Sequence, residues 1–169
     1  PPSMQRGHPR TITTRRVVAA AELDAEVAAR CTPRHDIVAE HAATPDDIVV
    51  GSPPLAFTFG LGGLLIFPMW AGASVYFPDI PYTPEAMVKL INDVGATICY
   101  TAPTFYRQMA PFARQHGIAS LRLCVSAGEG LPDATRQLWK DATGIEMLDG
   151  IGATEMFHIF ISSAPANVR

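Results

Sequence analysis

The sequence predicts an α/β fold, a mostly parallel β-sheet with covering helices. Three observations carry this reading. Short, continuous apolar runs occur at 48–50, 74–77, 97–100, 121–125 and 146–148. The last four start 23–25 residues apart, and each gap between them holds one helical pattern. Strands buried on both faces read as unbroken apolar runs, and a single helix between two of them is the crossover that parallel pairing requires. The helix sequences do not resemble one another, so the spacing reflects a β–α unit and not a solenoid.

The elements follow in order. Residues 1–45 form a poorly specified arm, arginine-rich at the start, with an alanine-rich helical pattern at 19–30 that offers little packing surface. The segment 46–169 carries the regular domain. From 48 to 78 no residue is charged. That length would allow a membrane span. The stretch also holds Pro53, Pro54, Pro68 and five glycines, so it reads as a buried helix at 61–71 feeding a buried strand. Thr83-Pro84-Glu85 opens a helix with a capping hydroxyl, a first-turn proline and an acid near the positive helix end. Met87, Leu90, Ile91 and Val94 then keep the helical period. Thr104 is the expected cap of a second helix with Phe105, Met109, Phe112 and Ala113 inward. Pro132 and Asp133 open a third, with Ala134, Leu138 and Ala142 inward and Gly144 as its stop.

The 169 residues are 48% apolar and 17% charged, which suits a packed core and excludes a disordered tail. The formal net charge of -3 and the absence of a basic run speak against a nucleic-acid partner. Cys31, Cys99 and Cys124 are too widely spaced for a zinc set or a disulfide framework and read as reduced core thiols, which places the chain in the cytoplasm. The opening residues lack the apolar run of a secretory leader, and no membrane partner is expected.

In parallel sheets ligands gather at the carboxyl ends of the strands. Three segments leave those ends: Thr101-Ala102-Pro103, Ser126-Ala127-Gly128-Glu129-Gly130, and Gly150-Ile151-Gly152-Ala153-Thr154-Glu155. In the last, two glycines allow close approach of backbone to a ligand. Thr154 offers a hydroxyl to phosphate, and Glu155 offers a carboxylate to Mg²⁺. The same residues suit a glycine turn with a helix-capping Thr-Glu pair. Small residues at 126–128 leave room for a flat ring. Phe57 and Phe59 lie two apart and face one way if that stretch is extended. Gly60, Gly62 and Gly63 allow close packing at the helix start. His158 follows Thr154 by four residues and joins the same site if a tight turn forms between them. No Walker lysine, nucleophile elbow or HExxH pattern is present.

From position 46 to 163, with PPLAFTFGLGG, SAGEGLP and DGIGATEMFHIF in order, the sequence resembles the N-terminal domain of adenylate-forming acid–CoA ligases. Among these it is most similar to the benzoate and 2-aminobenzoate CoA ligases. The resemblance implies ATP-dependent adenylation of an aryl carboxylate, then thioester formation with coenzyme A, with Mg²⁺ as the metal. It implies that Thr154 contacts phosphate, Glu155 binds Mg²⁺, and Ser126, Ala127, Gly128, Glu129, Asp149 and Gly150 border the nucleotide. It implies that Ala56, Phe57, Phe59, Gly60, Gly152, Ala153 and His158 border the acid. Thr154, Glu155 and His158 are then the catalytic set. The family's lysine-bearing phosphate loop, its ribose-binding aspartate and its C-terminal lysine domain do not occur in this sequence. The expectation is therefore a partial domain, with self-association through uncovered sheet edges. The alternative is an inactive fragment that keeps at most weak nucleotide or aryl-acid binding.

Overall fold

The computed structural model describes residues 43–79 and 82–162. The 19–30 helical pattern, Cys31 and nearly all of the 1–45 arm lie outside the described residues. One six-stranded sheet organises the rest, in the order β2-β1-β3-β4-β5-β6. The strands are β1 (Ile48–Gly51), β2 (Ser74–Val75), β3 (Ile98–Thr101), β4 (Leu123–Ala127), β5 (Met147–Gly152) and β6 (Ile159–Ser162). Pairing is parallel from β2 through β5, as the apolar runs predicted, and antiparallel between β5 and β6.

Four helices accompany it. Helix α1 runs as Thr58–Leu61, a π-helical segment Gly62–Ile66, and Phe67–Ala71. Helices α2 (Pro84–Val94), α3 (Pro103–His116) and α4 (Asp133–Thr143) lie between successive strands. A 3₁₀ turn at Thr154–Met156 joins β5 to β6. Among the described residues no helix is long and apolar enough to cross a membrane. The uncharged 48–78 stretch divides into β1, α1 and β2.

Strand alternation splits the core in two. Val50, Cys99, Cys124 and Met147 face α2, α3 and α4, where they meet Met87, Ile91, Tyr106, Met109 and Trp139. Val49, Ile98, Tyr100, Val125 and Leu148 face the other way, with Leu64 of α1 and Ile159 of β6. Cys99 and Cys124 are paired in register inside the first layer. Burial pushes the Cys99 thiol up to about 12, as expected of an inert core thiol.

Several element details differ from expectation. Thr104 does not cap α3. The chain enters that helix through Ala102 and Pro103, whose fixed backbone starts it without a side-chain cap, and the Thr104 hydroxyl is used elsewhere. The inward face of α3 is Tyr106, Met109, Ala110 and Ala113, while Phe105 and Phe112 sit half-buried at its margin. On α4, Ala134 is exposed, Leu138 and Ala142 are half-buried, and Thr135 and Trp139 take the centre. A tryptophan fills more of the groove between α3 and the sheet than an alanine does, and its position sets the phase of the helix. Only Ser74 and Val75 of the 74–77 run pair as strand. β6 was not foreseen from sequence. Thr83, by contrast, caps α2 through Ala86 N–H at 3.2 Å, and Gly144 closes α4 with φ 75°.

A polar knot locks the amino ends of β1, β3 and β4. Asp47, 3% exposed, accepts two bonds from Arg122, at 2.9 and 2.6 Å. It also accepts the Thr97 hydroxyl at 2.6 Å and the Thr44 backbone N–H at 2.7 Å. Burial opposes the charge of Asp47. The Arg122 fork, Thr97 and Thr44 together overcome it and hold the carboxyl well below the usual carboxylate range.

Candidate functional site

A cleft of about 480 Å³ opens at the carboxyl ends of the parallel strands. Its lining comes from three places. The β1–α1 connection and the first turn of α1 give Ser52, Pro53, Pro54, Phe57, Thr58 and Phe59; the β3 and β4 ends give Ala102, Ala127, Gly128 and Glu129; the end of β5, the turn after it and the start of β6 give Gly152, Ala153, Thr154, His158 and Ile159. The position matches the rule for parallel sheets, because the strand ends stop pairing there and the loops diverge.

Phe57 and Phe59 both reach the cleft, but not as neighbours on an extended strand. Phe57 is the residue that enters α1, and it stands 65% exposed at the mouth. Phe59 lies in the first turn of α1, half-buried, with its ring 5.9 Å from Tyr100 and 5.6 Å from His158. His158 is 2% exposed. Its Nε2 lies 3.2 Å from Phe59 O. A carbonyl only accepts, so Nε2 carries the proton in that bond. The Phe67 ring meets the imidazole edge-on at 4.8 Å and 86°. The cleft therefore has an aromatic wall with one imidazole fixed inside it.

Glu129 stands at the opposite rim, where it accepts the Thr104 hydroxyl. This is the use that displaced Thr104 from capping. Ser52 and Thr101 share a short hydroxyl–hydroxyl bond beneath the cleft. Beyond Thr154 the chain turns through Phe157 at φ 70°, an unusual backbone state for a residue with a Cβ, costing on the order of 1–3 kcal/mol. That turn brings His158 back under β5, as the tight-turn condition required.

Of the residues singled out from sequence, the cleft gathers Phe57, Phe59, Ala127, Gly128, Glu129, Gly152, Ala153, Thr154 and His158. Ala56, Gly60, Ser126, Asp149, Gly150 and Glu155 stand outside its lining. Alternation explains part of this. Ser126 and Asp149 are register partners on the face that carries Cys124 and Met147, while Ala127 belongs to the layer of Val125. Burial raises the Asp149 carboxyl, and the charge of Arg136 and the Gly150 backbone partly offset that. Gly150 and Gly152 are close to β6: a Cβ at Gly152 would stand 2.9 Å from His158 O, and one at Gly150 would meet the Ile159 side chain. Pro53, Pro54, Thr58 and Ala102 also line it, from segments the sequence picked out without giving these residues a role, and Ser52 and Ile159 complete the lining without having been singled out. The Pro53-Pro54 pair before an aromatic, glycine-rich run was the signal available for the first of them.

Glu155 is exposed on the 3₁₀ turn, next to Thr154. Among the described residues no group of three or more metal-ligating side chains is assembled. Mg²⁺ commonly takes only one or two carboxylates and fills its shell with phosphate and water. A single exposed carboxylate, Glu155, is compatible with that mode of binding.

The mostly parallel sheet, its covering helices and the strand-end cleft together define an α/β domain of the kind that gathers ligands at its strand ends. The profile of the AMP-binding enzyme family matches residues 12–169, and the chain belongs to that family. It is 39% identical over 125 residues to the benzoate–CoA ligase of Thauera aromatica, covering 73% of this chain and 24% of that protein. It is 34% identical over 123 residues to the anthranilate–CoA ligase of Pseudomonas aeruginosa, covering 73% of this chain and 23% of that one. The crystal structure of the anthranilate CoA ligase AuaEII with anthranoyl-AMP superposes with a TM-score of 0.73 at 41% identity, over 85% of this chain and 27% of that one. The chain thus spans about a quarter of the length of the curated relatives it matches. The chain therefore corresponds to part of a larger domain.

Proposed function

We propose that the protein to which this segment belongs activates an aromatic carboxylic acid, with 2-aminobenzoate as the leading candidate, and transfers it to coenzyme A. The acid carboxylate attacks the α-phosphate of ATP and releases pyrophosphate. The CoA thiol then displaces AMP and leaves the thioester. The observation that supports this most is the aromatic wall of Phe57, Phe59 and His158 in one cleft with Thr154. An apolar slot with few polar groups orients a flat acid while leaving its carboxylate for the reaction. In this reading Gly152, Ala153 and His158 join Phe57, Phe59, Ala56 and Gly60 around the acid. Ser126, Ala127, Gly128, Glu129, Asp149 and Gly150 serve the nucleotide, and Thr154 donates to phosphate as charge builds there. Glu155 is the Mg²⁺ ligand. Reduced thiols at Cys99 and Cys124 suit the cytoplasm.

The test is ATP–pyrophosphate exchange by the full-length gene product with 2-aminobenzoate, benzoate and hexanoate. Exchange with the aromatic acids and not with hexanoate is expected. Absence of exchange with any aromatic acid overturns the proposal. A second reading, a segment that binds weakly without turnover, draws on the position of Glu155 outside the cleft lining. Calorimetry of the 169-residue chain with ATP–Mg²⁺ and with 2-aminobenzoate separates the two. The β5–β6 pair at the end of the sheet, with its partners Ile151 and Ile161 60% and 57% exposed among the described residues, supports self-association of the chain, which sedimentation velocity reads directly.

A further inference from the structure

We propose that Gly62 is a positioning residue: through the π-turn of α1 it fixes where the His158 imidazole stands in the cleft wall, and so how large a ring the cleft admits. The clause about the ring rests on the aryl-acid reading above. The clause about the imidazole does not.

In an α-helix, residues five apart point about 140° away from each other, given 3.6 residues per turn. The π-segment changes this. Phe67 N–H donates to Gly62 O, an i→i+5 bond that stacks position 67 over position 62. Both then meet the same object. The Phe67 ring packs edge-on against His158, and a Cβ built on Gly62 would collide with His158 Cδ2 and lie 3.0 Å from Cγ and 3.1 Å from Phe67 Cε2. A Cβ built on the next residue, Gly63, would stand 2.8 Å from a Tyr100 ring carbon, and Tyr100 is itself edge-on to His158 at 6.4 Å. One helical irregularity therefore brings Gly62 and Phe67 onto one buried ring, with Tyr100 of β3 at another of its edges. An ordinary α-helical turn would aim Gly62 and Phe67 in different directions.

An added methyl at position 62 forces the imidazole to move. Phe67 and Tyr100 occupy its flanks and do not line the cleft, whereas His158 does. The space open to the ring is the cleft. Movement there breaks the Nε2 bond to Phe59 O and narrows the aromatic slot.

The experiment compares the 169-residue chain with Gly62→Ala, His158→Ala, the double variant, and Gly130→Ala, whose Cβ would meet nothing within 4 Å. Imidazole ¹⁵N spectra of histidine-labelled chain report the His158 tautomer and its contacts with Phe67. The expected result is an Nε2-protonated ring in the unaltered chain and displaced signals in Gly62→Ala. Affinity for 2-aminobenzoate falls about tenfold or more in that variant, as one methyl-sized change in a pocket does. ATP–Mg²⁺ affinity stays within about twofold, and Gly130→Ala behaves as the unaltered chain. Thermal unfolding gives a further reading: the melting-temperature loss from Gly62→Ala is largely relieved when His158→Ala is added. If Gly62→Ala does not fold, folding of the double variant supports the proposal and failure of both overturns it. Unmoved imidazole signals, or an equal thermal loss with and without the imidazole, also overturn it. If the unaltered chain binds no aromatic acid, the clause about the ring is overturned, and the spectra and the thermal comparison still decide the role of Gly62.

Discussion

The two faces of the sheet are built to different standards of closure. On one face, three helices cover Val50, Cys99, Cys124 and Met147, and Tyr106 and Trp139 meet edge-on at 4.9 Å in the middle. Even the Tyr106 hydroxyl is satisfied there, donating to Cys99 O at 2.7 Å. On the other face, among the described residues, α1 is the one helix that packs with Val49, Ile98, Tyr100 and Leu148, and it is distorted by a π-segment and three glycines. The closed face supplies cohesion by burying apolar area. The partly covered face supplies the cleft, because a surface left unfilled by the fold's own side chains is available to a ligand. In this domain the close packing and the cleft lie on different parts of the same sheet.

Substitutions that attack the closed face test the first half of that division. Trp139→Ala should cost about 3–5 kcal/mol in urea unfolding of the chain, since the site is enclosed by α3 and the sheet and cannot collapse. A cost below about 1 kcal/mol would mean that the face is not closed. Arg122→Leu should cost about 2 kcal/mol, because Asp47 then stays buried without its strongest partner. The same knot sets a pH dependence. Its carboxyl lies lower folded than unfolded, so its stabilisation is complete above the unfolded value of about 4 and is lost as pH falls through the folded one. The melting temperature should therefore fall more steeply below pH 4 in the unaltered chain than in Asp47→Asn. Parallel curves would remove Asp47 from the account of acid stability.

The smallest stability effect belongs to the open face. Phe57→Ala should change unfolding free energy by no more than about 0.5 kcal/mol, because the ring is mostly solvated. Its effect should appear in calorimetry with 2-aminobenzoate, as an affinity loss of about tenfold. A large stability loss with no binding change would reverse the assignment of that ring from ligand wall to core.

The closed face was largely legible in the sequence, and the open face was not. The runs at 97–100 and 121–125 placed Cys99 and Cys124 in strands, and Thr83 and Gly144 marked true helix ends, since those signals depend on backbone chemistry within a few residues. On α3 the sequence named Met109 and Ala113 rightly and missed Tyr106 and Ala110, whereas on α4 the expected face of Ala134 and Leu138 lay one residue short of Thr135 and Trp139. β6 was missed because it depends on a strand 10 residues earlier and on a strained turn at Phe157. Asp47 and Arg122 lie 75 positions apart, with no local pattern to join them.

For the site, local composition named Phe57, Phe59, Glu129, Thr154 and His158, and the fold brought all five to one cleft. What local composition could not settle was which side of a strand each neighbour faces: Ala127 and Ser126 are adjacent in sequence and on opposite sides of the sheet. The residue types, the strand and helix order and the family motifs were determined by the sequence alone, through short-range preferences and apolar patterning. The closing of the cleft around His158, the π-turn that seats it and the Asp47 knot were decided only by tertiary structure. Each depends on groups that meet in space after distant segments have packed, and the free energy of such a meeting is written at no single position in the chain.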